Sequence, residues 1–355
     1  MTQSSPNNQA HLNKARQQLI EAFMGCLKED TLPWTKGWHT TGERMRNAVS
    51  ETEYHGCNAF LLMLVAYMKG YEDPRWCTFK QAQDQGWKIQ KGSKGVPVEY
   101  WSVYDKKEKQ TISLADYTRA VSENGRDKND FSIVSRTYTV FNGQQIEGIP
   151  ALEKKPVPKL TDIEMDGFVN NIKNNMDVGY REVGDQAYYS PSTDTVTMPH
   201  KEQFKSQHDF NSTLLHELSH ATGHESRLNR DIAHSFGSPE YAKEELRAEI
   251  SSAFMSQYIE VDISQWHLDN HKAYIQGWSS VLKEDPNVLF TAIKDAEKIA
   301  DYLIEKGELT LNRDEQAKPE KKPSLDERIS QAKKMQEEQS AGRREEKVLQ
   351  ENMRG

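Results

Sequence analysis

The chain has 355 residues, 28% of them charged, and a formal net charge of −8 at pH 7. This length is enough for about two ordinary domains. The sequence contains no apolar run of about 18 residues and no apolar core near its start. It therefore predicts neither a membrane-spanning helix nor a secretory signal, and we expect a cytoplasmic protein. Cys26, Cys57 and Cys77 lack a C-x-x-C spacing, which argues against a disulfide framework or a cysteine-bound zinc ion.

The first part of the chain alternates helical and strand patterns. Apolar spacing and turn residues predict helices over 11–30, 54–70 and 81–85, and strands on both sides of residues 92–95 and over 132–142. Residues 105–130 are polar, and we expect them to form a loop. The segment 151–160 contains two prolines and three lysines and is the predicted linker.

A second pattern, richer in helices, follows the linker. It predicts helices over 161–176, 201–222 and 239–259, two more helices within 267–307, and two short strands within 187–199. From residue 312 the chain is rich in Lys, Glu and Gln, and we expect a mostly disordered, partly helical tail. We therefore predict an α+β protein with domains over 10–150 and 161–311, a linker at 151–160 and a tail at 312–355.

The stretch STLLHELSHATGH, residues 212–224, contains an H-E-x-x-H pattern. His216 and His220 are four residues apart, so a helix presents both imidazoles on one face, where they can bind one metal ion. Glu217 is offset from His216 by about 100° around the helix. Its carboxylate can therefore reach a water molecule at the metal without being a ligand, which is what a general base requires.

A catalytic zinc site takes a third protein ligand in addition to two histidines. His224 continues the spacing of four residues and is the local candidate. Two arguments oppose it. His224 lies about 12 Å along the helix from His216, and Gly223 is expected to end the helix first.

The helix predicted over 239–259 offers better candidates for the third ligand. Glu245 and Glu249 are four residues apart and share one face of that helix. We predict that Glu245 binds the metal and that Glu249 orients a ligand histidine through its other ring nitrogen. Glu244 is the alternative ligand, and the choice among the three glutamates stays open at this point.

The first third of the chain is unusually aromatic and locally basic. Residues 34–110 contain 12 Lys and Arg against 9 Asp and Glu, although the chain as a whole is acidic. Proteins that hold single strands combine cations for the phosphates with aromatic faces for the bases, and each stacked base contributes ~1–3 kcal/mol. A tryptophan is more often a core residue, and we expect Trp76 and Trp101 to be buried. The side chains that we expect at a DNA surface are Trp34, Lys36, Trp38, Arg44, Tyr54, Asn58, Lys88, Lys91 and Lys94.

The ordered series of motifs resembles the ArdC family of antirestriction proteins, which are carried by conjugative plasmids and related mobile elements. The likeness covers about residues 10–307. In the first half it runs through LPWTKGW, YHGCNAFLL, WCTFKQAQDQGWKIQKGSKGVPVEYW and YTVFNGQQIEGIP. In the second half it runs through MPHKEQFKSQHDFNSTLLHELSHATGHESRLNRD, FGSPEYAKEELRAEISSAF and WSSVLKEDPNVLFTAIKDAEKIADYL.

The resemblance implies a mixed α/β domain that binds single-stranded DNA, joined to a zincin-like domain of the gluzincin type. It implies protection of incoming DNA from restriction in a bacterial cytoplasm. The implied metal is zinc or another divalent ion such as manganese. Its implied ligands are His216, His220 and a glutamate of EELRAE, and Glu217 takes the catalytic position. The spacing of Glu245 and Glu249 is similar to the ligand and supporting residue of other gluzincin sites.

Three functions compete on this sequence. The first, which we favour, is a DNA-binding antirestriction protein with a zincin-like domain, which either coats incoming single-stranded DNA or engages the host restriction machinery. The second is a metallopeptidase that cleaves a host regulatory protein and uses its N-terminal domain for targeting. The third is a DNA-binding or inhibitor protein in which the metal is only structural.

Overall fold

A computed structural model of the chain describes the backbone of residues 13–28, 43–153, 160–235, 237–259 and 265–308. We call 13–153 the N-terminal half and 160–308 the C-terminal half. Trp34, Lys36 and Trp38, most of the predicted linker and the predicted tail lie outside the described residues. Within the described residues, no helix combines the length and the apolar composition needed to cross a membrane. Helices and sheets are mixed in both halves, which confirms the predicted α+β class.

The N-terminal half is built from short elements around one long strand pair. Its helices are α1 (Lys14–Lys28), α2 (Gly56–Lys69), α3 (Phe79–Asp84) and α4 (Leu114–Ser122). Its strands are β1 (Arg46–Asn47), β2 (Arg75–Thr78), β3 (Lys88–Ile89), β4 (Val96–Asp105), β5 (Gln110–Ile112), β6 (Phe131–Asn142) and β7 (Ile146–Glu147). Five strands form one sheet in the order β1-β2-β6-β4-β5, and β3 pairs with β7. As predicted, α2 ends at Gly70, whose positive φ of 67° closes the helix.

The expectation of a loop over 105–130 is wrong, because this segment contains β5 and α4. The Ser113 side chain accepts a hydrogen bond from the backbone of Asp116 and begins α4. Arg126 donates two hydrogen bonds to Asp105, at 2.6 and 3.0 Å, and so holds the end of the segment against β4. Polar capping and ion pairing, rather than an apolar stripe, define these elements, so the hydrophobic pattern did not predict them.

The two tryptophans expected in the core differ. Trp76 on β2 is completely buried, as expected. Trp101 on β4 is 40% exposed, so that expectation is wrong. Its ring nitrogen donates to Glu99 at 2.9 Å, and Glu99 in turn accepts from Arg16 of α1 at 2.8 Å. The indole therefore lies at the margin of the α1 contact, where a polar partner replaces full burial.

The C-terminal half is mostly helical. Its helices are α5 (Asp162–Asn175), α6 (Gln207–Ala221), α7 (Pro239–Met255), α8 (Gln265–Glu284) and α9 (Asn287–Lys306). Its strands are β8 (Gly179–Glu182), β9 (Tyr188–Ser190) and β10 (Thr195–Met198), in the order β8-β10-β9. The predicted pair of short strands corresponds to the antiparallel β9 and β10, whereas β8, parallel to β10, was not predicted. Short strands beside a polar turn carry little periodic signal.

One hydrophobic core is shared by the two halves. The Phe60 ring on α2 lies 6.1 Å from the Phe23 ring on α1 and 6.0 Å from the Phe254 ring on α7. Helix α2 is apolar around most of its circumference, and its residues Ala59 to Ala66 are all buried. A helix that is apolar on every side needs partners on every side. Helices from both halves meet this need, since α2 packs on α1, β4 and α9.

Helix α9 also makes polar contacts with the N-terminal half. Glu297 accepts a hydrogen bond at 2.8 Å from the backbone nitrogen of Gly56, the first residue of α2, and lies 3.0 Å from the His55 ring. Arg44 binds Asp301 of α9, and its guanidinium lies 4.9 Å from the Tyr258 ring centre. A carboxylate at a helix N-terminus satisfies an open N–H group and interacts favourably with the helix dipole.

We predict that replacing Glu297 by Ala lowers the free energy of unfolding by ~1–2 kcal/mol, because α2 loses the acceptor at its N-terminus. Chemical denaturation followed by tryptophan fluorescence measures the change. The matched control is Glu305→Ala, on the same helix but with a side chain 73% exposed, which should change stability little. Equal effects of the two substitutions would contradict a specific capping role for Glu297.

Candidate metal centre and DNA-binding surface

Helix α6 carries the H-E-x-x-H residues. The Ser206 side chain accepts a hydrogen bond from the backbone of Asp209 and fixes where the helix begins. The helix ends at Ala221, after the motif. Both motif histidines therefore lie inside a regular helix on one face, with their Nε2 atoms 3.1 Å apart.

Helix α7 brings the third donor to this pair. Its start is fixed by Ser238, which caps the helix, and by Pro239 in the first turn. The Glu245 carboxylate lies 3.5 Å from His216 Nε2 and 3.4 Å from His220 Nε2. Among the described residues, this trio is the cluster of potential metal ligands whose donor atoms all lie within 4.8 Å of one another.

The spacing of the three donors suits a small divalent ion. In a tetrahedral site with bonds of about 2.1 Å, two ligand atoms are separated by about 3.4 Å. The observed separations of 3.1, 3.4 and 3.5 Å surround that value. Two imidazole nitrogens and one carboxylate oxygen are also the donors of catalytic zinc sites with an open fourth position. These residues therefore fit a metal ion.

Glu244 supports the cluster from behind. Its carboxylate lies 3.4 Å from His220 Nδ1, the ring nitrogen that faces away from the trio. Arg230 donates to the same carboxylate at 2.7 Å, and Arg247 donates to it at 3.4 Å. Arg247 also donates to Asp295 of α9 at 2.9 Å. The alternative ligand of the sequence analysis thus contacts the outer nitrogen of a histidine.

Glu249, which we predicted to orient a histidine, lies 4.0 Å from His216 Nδ1. The two outer nitrogens of the pair therefore each face a buried glutamate, His216 facing Glu249 and His220 facing Glu244. Only the Glu249 contact follows from the spacing of four residues. Arg230 lies in the segment between α6 and α7, where no periodic pattern predicts a position, so the sequence analysis did not find it.

Charges around the cluster shift the pKa values of its members. Burial raises the pKa of Glu245, but the adjacent His220 and His216 outweigh burial and lower that pKa to about 2. Burial lowers the pKa of His220, but the carboxylates of Glu245 and Glu244 reverse this effect and raise that pKa to about 9. The site thus concentrates negative charge that stabilises cations.

Glu217 is buried beside this cluster. Burial raises the pKa of its carboxyl group, and the neighbouring His216 and His220 oppose that shift. The backbone of Tyr189 on β9 also opposes the rise in the pKa of Glu217. Strand β9 is one of the two edge strands of its sheet and packs on α6. A buried carboxylate with a raised pKa is a stronger base than an exposed one.

His224 is not part of the cluster. It lies beyond the end of α6, where its Nδ1 is 2.8 Å from the Ser226 hydroxyl and 3.7 Å from the Asp194 carboxylate. Gly223 follows the end of the helix, where an added Cβ would come within 2.6 Å of Ile232. The helix therefore ends before His224, as the sequence predicts.

The residues expected at a DNA surface fall into different environments. Lys88, Lys91 and Lys94 are exposed around the turn between β3 and β4, and none pairs with an acidic side chain among the described residues. Tyr54 is half-buried, and its hydroxyl accepts from Asn47 at 3.4 Å. The predicted contacts Trp34, Lys36 and Trp38 lie outside the described residues.

Arg44 and Asn58 are engaged within the protein. Arg44 binds Asp301 and lies 3.5 Å from Glu53, and its side chain is only 11% exposed. The Asn58 amide donates to the backbone oxygen of Glu99 at 2.7 Å and accepts from its nitrogen at 2.8 Å. One side chain thus replaces a strand partner on the open edge of β4.

Strands β4 and β6 also present an exposed aromatic face, which is absent from the DNA surface predicted above. Tyr100, Tyr104, Arg136 and Tyr138 share one face of this strand pair, since Tyr100 is opposite Arg136 and Val98 is opposite Tyr138. The three tyrosines are 55%, 39% and 41% exposed, respectively. We call these four residues the tyrosine face. Alternation along β4 could have predicted Tyr100 and Tyr104 on one side.

Two family models match the chain in succession. Residues 13–141 match the N-terminal domain of the anti-restriction factor ArdC, and residues 165–295 match a zincin-like metallopeptidase family. The crystal structure of the Mn(II)-bound antirestriction ArdC protein from plasmid R388 is 30% identical, covering 84% of this chain and 100% of that one, with a TM-score of 0.64. The chain belongs to the ArdC family of antirestriction proteins.

Other relatives of this ArdC-family chain are either similar to it in length or much longer. The metal-free R388 ArdC structure is 28% identical, with 83% of this chain and 98% of that chain covered and a TM-score of 0.64. The protein y4eC of Sinorhizobium fredii is 31% identical, with 81% of this chain and 89% of y4eC covered. Two DNA primases TraC of Escherichia coli are 38% and 36% identical over 81% of this chain, which spans 19% and 27% of their lengths.

The zincin-like match and the Mn(II)-bound relative, together with the trio of donors, support a divalent metal at this centre of the ArdC-family fold.

We predict that Glu244→Gln weakens metal binding by about 10- to 100-fold, because the uncharged amide no longer stabilises a correctly oriented His220. Competition with a chromophoric chelator measures the affinity for Zn²⁺ and Mn²⁺. The matched control is Glu240→Gln in the first turn of the same helix, where the side chain is 51% exposed. An affinity unchanged in Glu244→Gln would remove the supporting role.

Proposed function

We propose that this ArdC-family chain is an antirestriction protein of a mobile element, which binds single-stranded DNA and protects incoming DNA from host restriction in the bacterial cytoplasm. The DNA-binding domain would span residues 10–150 and the zincin-like domain residues 161–311, with a linker at 151–160. In the zincin-like domain, His216, His220 and Glu245 would hold one divalent ion, either zinc or manganese.

The observation that carries DNA binding is the coexistence, in the N-terminal half, of an exposed aromatic face with exposed lysines that pair with no acidic side chain of the described residues. Tyr100 and Tyr138 contact each other edge to face, with ring centres 6.1 Å apart, and stay largely exposed. Lys94 lies two residues before β4, the strand that carries Tyr100. Stacking platforms combined with cations are the means by which proteins hold single strands of any sequence.

The DNA-binding surface that we propose from the structure differs in part from the surface predicted from the sequence. Lys88, Lys91 and Lys94 are exposed and are retained as phosphate contacts. Arg44 and Asn58 are left out, because their polar groups bind Asp301 and the Glu99 backbone. Tyr100 and Tyr138 of the tyrosine face are added as the aromatic platform.

The metal centre supports hydrolysis as a second candidate function, in which a host protein is the substrate. A divalent ion bound to the trio would supply Lewis acidity to a carbonyl group and to a water molecule. Glu217 would accept a proton from that water on its carboxylate, and its burial favours this role. Edge strand β9, adjacent to Glu217, offers open backbone groups that an extended peptide can pair with.

DNA binding is expected to depend on salt and on the three lysines. Replacing Lys88, Lys91 and Lys94 together by Ala should reduce the slope of log affinity against log salt by about 2, because three phosphate contacts are lost. Anisotropy of a fluorescent single-stranded oligonucleotide over a series of NaCl concentrations measures this slope.

The control for this triple variant replaces Lys283, Lys294 and Lys298, exposed residues of the C-terminal half, by Ala. It changes the net charge equally and should leave the slope as in wild type. If both triple variants behave alike, long-range charge rather than local contact explains the binding. Absence of binding by the wild type at any salt concentration would reject the proposed DNA function.

The Glu217→Gln variant separates the two candidate functions. It should bind metal and DNA as the wild type does, whereas any peptide hydrolysis should fall by about 100-fold or more, because the general base is lost. Mass spectrometry of new N-termini in a host extract measures cleavage. Glu225→Gln, on the loop after α6, is the control. New termini that persist in Glu217→Gln, or that are missing with the wild type, would reject the peptidase.

A further inference from the structure

A cleft with a volume of about 700 Å³ opens beside the tyrosine face. This volume lies within the range of about 300–1,000 Å³ that is usual for small-molecule sites. Side chains from β1, α3, β4 and β6, and from the segment before α2, line it. The lining residues that matter here are Asn47, Tyr54, Lys80, Gln81, Tyr100 and Tyr138.

The walls of this cleft are flat and aromatic. Tyr100 and Tyr138 meet at an angle of 76°, so the face of one ring and the edge of the other can contact the same planar ligand. Both rings are exposed, so their faces are accessible to a ligand. Tyr54 adds a third aromatic side chain from the segment before α2.

A fixed polar network joins the residues of the cleft. The amides of Asn47 and Gln81 exchange hydrogen bonds, at 3.1 Å from Asn47 and 3.2 Å from Gln81. Gln81 Oε1 also accepts from the backbone and the hydroxyl of Thr78, which fixes the orientation of the amide. Asn47 donates to the Tyr54 hydroxyl oxygen at 3.4 Å.

The amide oxygens of Asn47 and Gln81 accept hydrogen bonds within this network, whereas two donors of the network stay available to a ligand. Gln81 has one amide hydrogen and Tyr54 has its hydroxyl hydrogen without an acceptor among the described residues. Both residues line the cleft, so a ligand with a carbonyl oxygen can accept from them. Lys80, next to Gln81 on α3, is exposed at the same cleft and supplies a positive charge.

We propose that this cleft holds one unstacked base of single-stranded DNA. The base lies against the Tyr100 and Tyr138 rings, a carbonyl oxygen of the base accepts from Tyr54 and Gln81, and Lys80 contacts a neighbouring phosphate. Thymine, cytosine and guanine carry such an oxygen, whereas adenine does not. This inference rests on the proposed function, which it deepens by assigning one base-binding position.

The test compares the binding of fluorescent dT12 and dA12 by wild type, Tyr100→Leu and Tyr54→Phe at one salt concentration. Tyr100→Leu should weaken the binding of both strands by roughly 5- to 150-fold, because a stacked base is lost. Tyr54→Phe keeps the ring and removes the donor, so it should weaken dT12 by about 2- to 10-fold and dA12 less, because adenine offers ring nitrogens but no carbonyl oxygen as acceptors. For each strand, the affinity of the variant is divided by that of the wild type. Self-stacking of the strand affects both affinities equally and therefore cancels.

The matched control is Tyr104→Leu, on the same strand and the same face but outside the cleft, which should bind both strands nearly as the wild type does. If Tyr100→Leu and Tyr54→Phe bind like a wild type that does bind DNA, the cleft assignment is overturned and the proposed function stands. Equal weakening of dT12 and dA12 by Tyr54→Phe overturns the assignment of a carbonyl oxygen as the acceptor. A wild type that binds neither strand overturns the proposed function as well.

Discussion

Compensation of buried negative charge is the constraint on which the C-terminal half depends. Glu217, Glu244, Glu245 and Glu249 are all less than 7% exposed and lie on two adjacent helices. Isolated carboxylates in such a place would be strongly destabilising, so each must be paired or protonated. Two arginines and the two histidines, when protonated, supply the compensation. A divalent ion bound to the trio would take the place of the histidine protons and contribute two positive charges. The same buried charges thus favour metal binding and add polar contacts to the apolar packing of α6 and α7.

The same charges restrict the shape of the surrounding chain. Arg230 approaches Glu244 from the segment after α6, and it also donates to the Thr222 hydroxyl and to the Ser219 backbone oxygen at the end of that helix. Arg247 extends the contact to Asp295 on α9. Two elements therefore support the site besides α6 and α7: the segment between these helices, through Arg230, and helix α9, through Asp295. The segment between α6 and α7 has no regular structure. Its Arg230, by binding Glu244, holds it in place.

Residue spacing within one helix predicted the site residues that lie on that helix. It did not predict contacts between residues that are far apart in the sequence. His216, Glu217 and His220 follow from one helix, and Glu245 follows from a second helix of the right period. The contact of Glu244 with His220 could not be predicted, because it depends on how two helices rotate against each other. The exposure of Trp101 could not be predicted either, because it depends on how α1 packs against β4. In the N-terminal half, Asn58 was expected to bind DNA from its residue type, whereas its amide completes the edge of β4.

Helix α9 has a consequence for how this protein evolves. Within seven residues it presents Asp295 to the network behind the metal centre, and Glu297 and Asp301 to the N-terminal half. A recombination event that joined the first half of one family member to the second half of another would keep the partner of Asp295 but would have to match the partners of Glu297 and Asp301. Exchange of single halves should therefore be rare, and the pair should be inherited together. The two TraC primases agree with this view, since each is similar to this chain over 295 or 305 residues, a span longer than either half.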